Sequence, residues 1–516
     1  MRLIAPTVLV VLAGISLSAP ALLAAPAAQS TPDPVETADA SDSAQIRDSV
    51  VKIFTTLRNP DYESPWTKQS PQEVSGTGFV IEGNRILTNA HVVEMASQIF
   101  VQPPNSADKI RARVVGIAQG IDLAVIELRK ESDRDTFHAK HAPLHLSQSL
   151  PKIGSTVQAI GFPMGGEQIS LTEGVVSRIE FIGYSQDTAG LRVQVDAALN
   201  HGNSGGPVVQ DNEVVGVVFS GVESADNIGY LIPAEEVIAF LDDLEDGEYD
   251  GRPRLFAKNF QTAENPALRD WLGLESEQTG LLYTGDGDED ESIIFEKWDL
   301  IDSIGDFDID NAGMITIADN IRLSWGYEIP QLAQNGTVPV TVLRKGESIA
   351  LDVPVASSRD DLLPSIGNDY PEYFIVGPLV FSPARREHLM NFYTPYLAMQ
   401  GNPAALRADE IRKEKGEEIV MIVSDFLPHP ITKGYDIAYK PALKSLNGTE
   451  IESLAQLVEL IRDSDDDYLE FKFYDKGQES LIFDREEILE ATEEILEDNS
   501  IRKQGSKRFM NIWEDE

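Results

Sequence analysis

The sequence predicts a mainly β chain in which a double β-barrel domain is followed by two smaller α+β units. Short β-rich runs punctuated by glycine fill the stretch as far as Gly221. Three motifs carrying His, then Asp, then Ser stand in order at the ends of those runs. Beyond Gly251 the pattern changes, and helical runs join the strands. At 516 residues the chain is too long for one ordinary domain, and 42% hydrophobic residues suffice for several cores.

Taken in order, Arg2, the apolar run Ile4 to Leu17 and the small residues Ala19 to Ala28 read as a secretory signal peptide over residues 1–27. Ala25-Pro26-Ala27 and Ala19-Pro20-Ala21 both fit its cleavage pattern. An uncleaved anchor is the alternative, although the run is short for a membrane span. Residues 28–46, rich in Pro, Ser, Thr and Asp, read as a linker without a core-forming pattern. The barrel domain is expected over 47–248, with strands such as Val50 to Thr56, Ile110 to Ile117, Val157 to Phe162 and Val214 to Phe219. Pro233 should open a helix presenting Val237, Ile238, Leu241 and Leu244 on one face. The acidic stretch Asp242 to Asp250 closes the domain.

The chemistry concentrates in Gly202-Asn203-Ser204-Gly205-Gly206-Pro207. A serine hydroxyl is a weak nucleophile unless a base takes its proton. Flanking glycines let the backbone aim N–H groups at a developing oxyanion. Thr88-Asn89-Ala90-His91-Val92-Val93 offers an imidazole at the end of one strand, and Gly120-Ile121-Asp122-Leu123 a carboxylate at the start of another. Each motif alone fits a buried His, a turn Asp or a loop Ser. Together, in the order His, Asp, Ser, they predict a chymotrypsin-like serine protease. His91 would be the general base, Asp122 its orienting partner, and Gly202, Asn203 and Ser204 the oxyanion loop.

Around these residues, Ser75-Gly76-Thr77-Gly78-Phe79-Val80-Ile81 followed by Arg85 to Val93 resembles the first hairpin of the Deg/HtrA (protease Do-like) family. Asp122-Leu123-Ala124-Val125, Asp196 to Pro207 and Asp226 to Pro233 resemble that family's Asp motif, serine motif and pocket-wall strand. Arg252-Pro253-Arg254-Leu255, Asn265-Pro266-Ala267-Leu268-Arg269 and Asp299 to Gly305 resemble a PDZ domain, placed at 251–357. Tyr373 to Phe381, Leu446-Asn447-Gly448-Thr449 and the helical run Leu454 to Ile461 resemble a second, Do-like PDZ, placed at 368–516. The resemblance implies the long two-PDZ form, assembly into trimers or multiples of them, and degradation of unfolded or misfolded protein substrates. A proteolytically silent client-binding chaperone or scaffold is the competing reading.

Specificity is expected from Ala198, Leu199, Asn200, Ser220, Asn227 and Ile228. Ala198 lies six positions before the nucleophile, where trypsin-like enzymes carry an Asp. Cleavage after small aliphatic residues is therefore expected, unless Ala198 merely packs in the barrel. His201, where bacterial relatives usually have Pro, reads as a spectator. The family's carboxylate-binding PDZ loop usually contains Gly, but Leu255-Phe256-Ala257 has none. Bulky Phe256 leaves open whether this loop captures peptide C-termini.

Composition narrows the rest. With 42 Lys+Arg against 85 Asp+Glu, the formal net charge of -43 argues against nucleic acid. There is no cysteine, so neither a disulfide nor a thiolate metal site is possible, which suits export to a bacterial periplasm. His138, His141 and His145, on what reads as a surface loop, lack a fourth metal ligand. Asp286 to Asp290 and Asp306 to Asp310 begin like calcium loops but lack the required Gly and Glu. No cofactor is expected. Asn335-Gly336-Thr337 and Asn447-Gly448-Thr449 read as turns rather than glycosylation sites. Because the triad and oxyanion loop are complete before Gly221, the C-terminal unit is expected to serve assembly more than catalysis, with allosteric restraint as the alternative.

Overall fold

The computed structural model describes residues 44–163, 166, 168–183, 188–200, 202–219, 229–285, 293–317, 321–477 and 480–515. The expected signal peptide, nearly all of the linker, His201, Ser220, Asn227, Ile228 and the run Asp286 to Asp290 lie outside the described residues.

The chain is mainly β and opens with two closed, six-stranded antiparallel barrels. Strands β1 (Val50–Leu57), β2 (Gln72–Ile81), β3 (Arg85–Thr88), β4 (Ala96–Gln102), β5 (Ile110–Ala118) and β6 (Leu123–Leu128) close the first in the order β1-β2-β3-β6-β5-β4. The second uses β7 (Thr156–Gly161), β8 (Ser170–Gly183), β9 (Ala189–Val195), β10 (Pro207–Gln210), β11 (Glu213–Phe219) and β12 (Gly229–Pro233), in the order β10-β11-β12-β9-β8-β7. Closure removes the exposed edges that such Val- and Ile-rich strands would otherwise offer to other chains. Val51, Ile53, Val80 and Ile86 fill the first barrel, and Val157, Leu191, Val193 and Val218 the second. A third cluster joins Phe79, Leu87 and Leu123 to Ile160, Val217 and Ile232, so the barrels share an apolar seam. The loops carrying the three polar motifs meet beside that seam.

Two local readings need correction. The helix after β12 runs Ala234–Asp243, and its buried face is Ala234, Glu236, Val237 and Phe240, while Ile238 and Leu241 are only half-buried. Val237, Leu244 and the half-buried Leu241 pack into the inter-barrel cluster as expected, and Phe240, not Ile238, joins them there. His138 closes a helix, Glu131–His138, rather than lying on a loop.

The middle unit is built on a sheet of Phe260–Thr262, Leu281–Tyr283, Leu300–Ile304, Thr337–Arg344 and Glu347–Pro354. It leans on the second barrel, where Leu323 packs among β8 and β9 residues and the Tyr327 hydroxyl donates to Glu235 at 3.0 Å. The C-terminal unit combines the strands Phe374–Val376, Leu379–Pro383 and Val420–Ile422 with a second sheet, over which helices Leu454–Asp463 and Arg485–Asp498 pack. Asn447 and Gly448, at φ 48° and 84°, form the tight hairpin turn expected of Asn-Gly.

Gly205 is the most constrained of the turn glycines at the seam. Its φ is 83°, and a methyl group there would overlap the Thr77 carbonyl oxygen and the Thr88 hydroxyl. Gly154, at φ 87°, has nothing within 4 Å of such a methyl. Gly154→Ala should therefore cost only backbone strain, about 1 kcal/mol. Gly205→Ala should cost about 3 kcal/mol or more, because overlap adds to strain. Thermal or denaturant unfolding of the two variants checks the difference.

Candidate active site

Asp122 caps the short helical turn Gln119–Ile121 in the left-handed region, at φ 60°, immediately before β6. That strained position turns its carboxylate toward the one-turn helix Ala90–Val93, which follows β3. Oδ1 accepts the His91 backbone N–H at 2.9 Å, and Oδ2 meets His91 Nδ1 at 2.8 Å. The fully buried Asn89 holds the same turn by donating from Nδ2 to the Asp122 carbonyl at 2.9 Å. With its Nδ1 proton committed to Asp122, the imidazole keeps a lone pair on Nε2. Burial pulls the His91 pKa down, but the hydrogen bond and charge of Asp122, with Glu94 behind them, outweigh it and leave the pKa above its ordinary 6.5.

Ser204 is 4% exposed and sits on a loop whose glycines Gly202 and Gly205 both have positive φ, 101° and 83°. Its carbonyl accepts the Thr77 N–H at 2.9 Å, which ties the loop to β2. Gly76 is the spacer between this loop and the His91 helix, since a methyl there would meet Val92 at 2.7 Å and the Ser204 carbonyl at 3.3 Å. The Gly205 N–H reaches the Val218 carbonyl at 3.0 Å, and the next ring, Phe219, meets the His91 ring edge-on at 6.5 Å. His91, Asp122 and Ser204 thus stand on neighbouring loops at the seam between the barrels. The Asn203 N–H is committed to the Asn200 carbonyl at 3.0 Å, so Asn203 shapes the turn rather than facing an oxyanion.

Of the expected pocket residues, Ala198 and Asn200 are exposed and Leu199 is half-buried. Ala197, its neighbour, fills the barrel core instead of Ala198. Leu199 lies over Gly229 at the start of β12, where any side chain would collide with it. Leu255 and Ala257 pack against the core of the middle unit. Two guanidinium groups stand near the Phe256 ring, Arg254 at 5.3 Å and Arg359 at 5.4 Å. Asp310 accepts the N–H groups of Ala312 and Met314 and pairs with Arg322, a structural use of the second acidic run.

Nothing in the sequence marks a role for Thr77, Thr88 or Phe219. Thr77 and Thr88 lie inside the His and hairpin motifs, and only the fold shows what they bond. Phe219 carries the Arg192 guanidinium on its ring at 3.7 Å, a contact between strands far apart in sequence. Thr77 is fully buried; Oγ1 donates to the Gly202 carbonyl at 2.7 Å and accepts the Phe162 N–H at 2.9 Å. Thr77→Val keeps the shape but strands two buried backbone groups of the second barrel, the Gly202 carbonyl and the Phe162 N–H, that Thr77 ties to the first. Denaturant unfolding should show a loss of about 2–3 kcal/mol.

The Trypsin-like peptidase domain family matches residues 76–217, and the PDZ domain family matches residues 364–508. Protease Do-like 2, chloroplastic, of Arabidopsis thaliana is 33% identical over 474 residues, covering 91% of this chain and 76% of that protein. Protease Do-like 4, mitochondrial, of the same plant is 34% identical over 422 residues, covering 80% and 76%. Among solved structures, the HtrA-type protease AlgW with tripeptide aligns with 61% of this chain and 96% of its own, at 21% identity and a TM-score of 0.47, a likeness too distant to carry further weight. With 33% identity over 91% of its length to such a protease, the chain belongs to the protease Do-like (Deg/HtrA) family and is a serine endopeptidase.

Proposed function

We propose that this protein degrades misfolded or damaged exported proteins without ATP, using His91, Asp122 and Ser204 as its catalytic triad. The observation that carries the reading is the Asp122 carboxylate, which holds the His91 main chain and ring at 2.9 and 2.8 Å beside the Ser204 loop. His91 Nε2 takes the Ser204 proton as Oγ attacks the scissile carbonyl, and later returns it to the leaving amine. Asp122 stabilises the imidazolium that forms between these steps. The N–H groups of Gly202 and Ser204 receive the oxyanion, and one such donor is worth on the order of a hundredfold in rate. Water then cleaves the acyl-enzyme by the same proton relay. Hydrolysis of this kind requires no cofactor.

Ala198 supports a preference for small aliphatic residues at the cleavage site, because a cationic side chain buried there would lack the counter-charge an Asp provides. We read the middle unit as a first PDZ and the chain as the long, two-PDZ form. The guanidinium groups near Phe256 support a covered loop at Leu255, Phe256 and Ala257, one that does not capture C-termini. A bacterial periplasmic location is supported by the apolar N-terminal run and the lack of cysteine. Trimeric assembly, or a multiple of it, rests on the family resemblance.

A fluorophosphonate probe should label the purified protein, and Ser204→Ala should abolish both labelling and casein cleavage, a loss on the order of a millionfold in turnover. Labelling that survives the substitution removes Ser204 from its role; a wild-type protein that binds clients but neither labels nor cleaves is a chaperone. Mass spectrometry of products from an unfolded substrate should show cuts mostly after Val, Ala or Ile. A majority after Lys or Arg overturns the Ala198 argument.

A further inference from the structure

The residues leading into the C-terminal unit lie against the turn that follows His91. Met95 ends this turn in the left-handed region, at φ 51°, a conformation that residues other than glycine seldom hold unless their surroundings enforce it. Both of its backbone polar groups are engaged. Asn368 Oδ1 accepts the Met95 N–H at 2.6 Å, and the Met95 carbonyl accepts the Arg58 N–H at 3.0 Å. The Arg58 carbonyl accepts the Tyr370 hydroxyl at 2.8 Å, and the Lys68 ammonium stands 3.7 Å from the centre of the Tyr370 ring. Asn368 and Tyr370, two residues apart, therefore brace the turn from both sides.

The same segment reaches the turn that carries Asp122. A methyl on Gly367 would stand 3.7 Å from the Gln119 side chain. The Gln119 amide donates to Glu94 at 3.2 Å, and its main-chain carbonyl accepts the Asp122 N–H at 3.2 Å. Behind the segment, Tyr62 and Trp66 of the β1–β2 loop lie edge-on to His388 and Tyr373 at 5.5 and 6.2 Å and pack into the C-terminal core. The brace is thus part of a packed unit and not a loose strand.

We infer that Asn368 is a positioning residue for hydrolysis: by fixing the Met95 turn it keeps His91 seated on Asp122, and so makes the catalytic geometry conditional on docking of the C-terminal unit. The inference rests on the triad proposed above. Asn368 touches neither substrate nor reacting atoms. It acts through the backbone, where a shift of an ångström is enough to cost a large factor in rate.

The test compares full-length wild type with Asn368→Ala, Asn368→Asp and Asp369→Ala on an unfolded protein substrate. Asn368→Ala should lower kcat on the order of tenfold with KM unchanged. Asn368→Asp keeps the acceptor oxygen and should restore the rate, while Asp369→Ala at the exposed neighbouring position should match wild type. Histidine NMR in a Ser204→Ala background supplies a readout independent of turnover, in which Asn368→Ala should lower the His91 pKa as its contact with Asp122 loosens. Should Asn368→Ala fail to fold, Tyr370→Phe removes only the hydroxyl on Arg58 and should act in the same direction with a smaller loss. Wild-type protein that resists the fluorophosphonate probe overturns the triad and this inference together. Wild type that labels normally, with kcat and the His91 titration unmoved by Asn368→Ala or not restored by Asn368→Asp, overturns the positioning role alone.

Discussion

The carboxylate of Asp122 accepts the His91 backbone N–H with one oxygen and meets the imidazole with the other, so one side chain fixes both the main chain and the ring of the base. That bidentate grip requires the left-handed turn at Asp122, the buried Asn89 amide that holds its carbonyl, and the strand β6 that follows it. The nucleophile is fixed from the other barrel, and Thr77 makes the join. Its hydroxyl bonds Gly202 on the Ser204 loop and Phe162 at the end of β7, while its own carbonyl accepts from Thr88, beside the His91 helix. Two closed barrels are stiff on their own. These few buried polar bonds decide how their loops face each other.

What the sequence made legible was local. The three motifs could be read because nucleophile, base and orienting acid each need a characteristic neighbourhood: glycines beside Ser204, an apolar strand before His91, a turn before Asp122. The Asn447-Gly448 turn and the helix from Leu454 were legible for the same reason, since backbone preference and 3.6-residue periodicity are short-range signals. On the helix after Pro233, Val237, Leu241 and Leu244 face the seam between the barrels as their spacing indicates, and Phe240 rather than Ile238 packs beside them. The helix ending at His138 was missed for want of an apolar stripe, as Phe137 is its only buried residue.

Long-range wiring was not legible at all. Asn368 reaches Met95 and Tyr370 reaches Arg58 through single polar atoms, and nothing near either residue in sequence announces its partner. Electrostatics hides in the same way. Within a chain of net charge -43, Glu236 is fully buried, and burial pushes its carboxyl pKa up even with Arg252 at 3.2 Å and the Leu191 N–H bound to it. Composition describes the solvated face of such a molecule and says little about the few charges taken inside.

The central claim is that Asp122, His91 and Ser204 act as one proton-transfer unit. Its most direct measurement is the pH dependence of the second-order rate at which a fluorophosphonate modifies Ser204. His91 must be neutral to accept the proton, and its pKa is raised in the folded protein, so the rate should fall as pH drops through a single ionisation above 6.5. Asp122→Asn should slow the reaction and move that ionisation downward, since both the hydrogen bond and the charge that raise it are weakened. A rate independent of pH across this range, or an ionisation that Asp122→Asn leaves in place, would contradict the account.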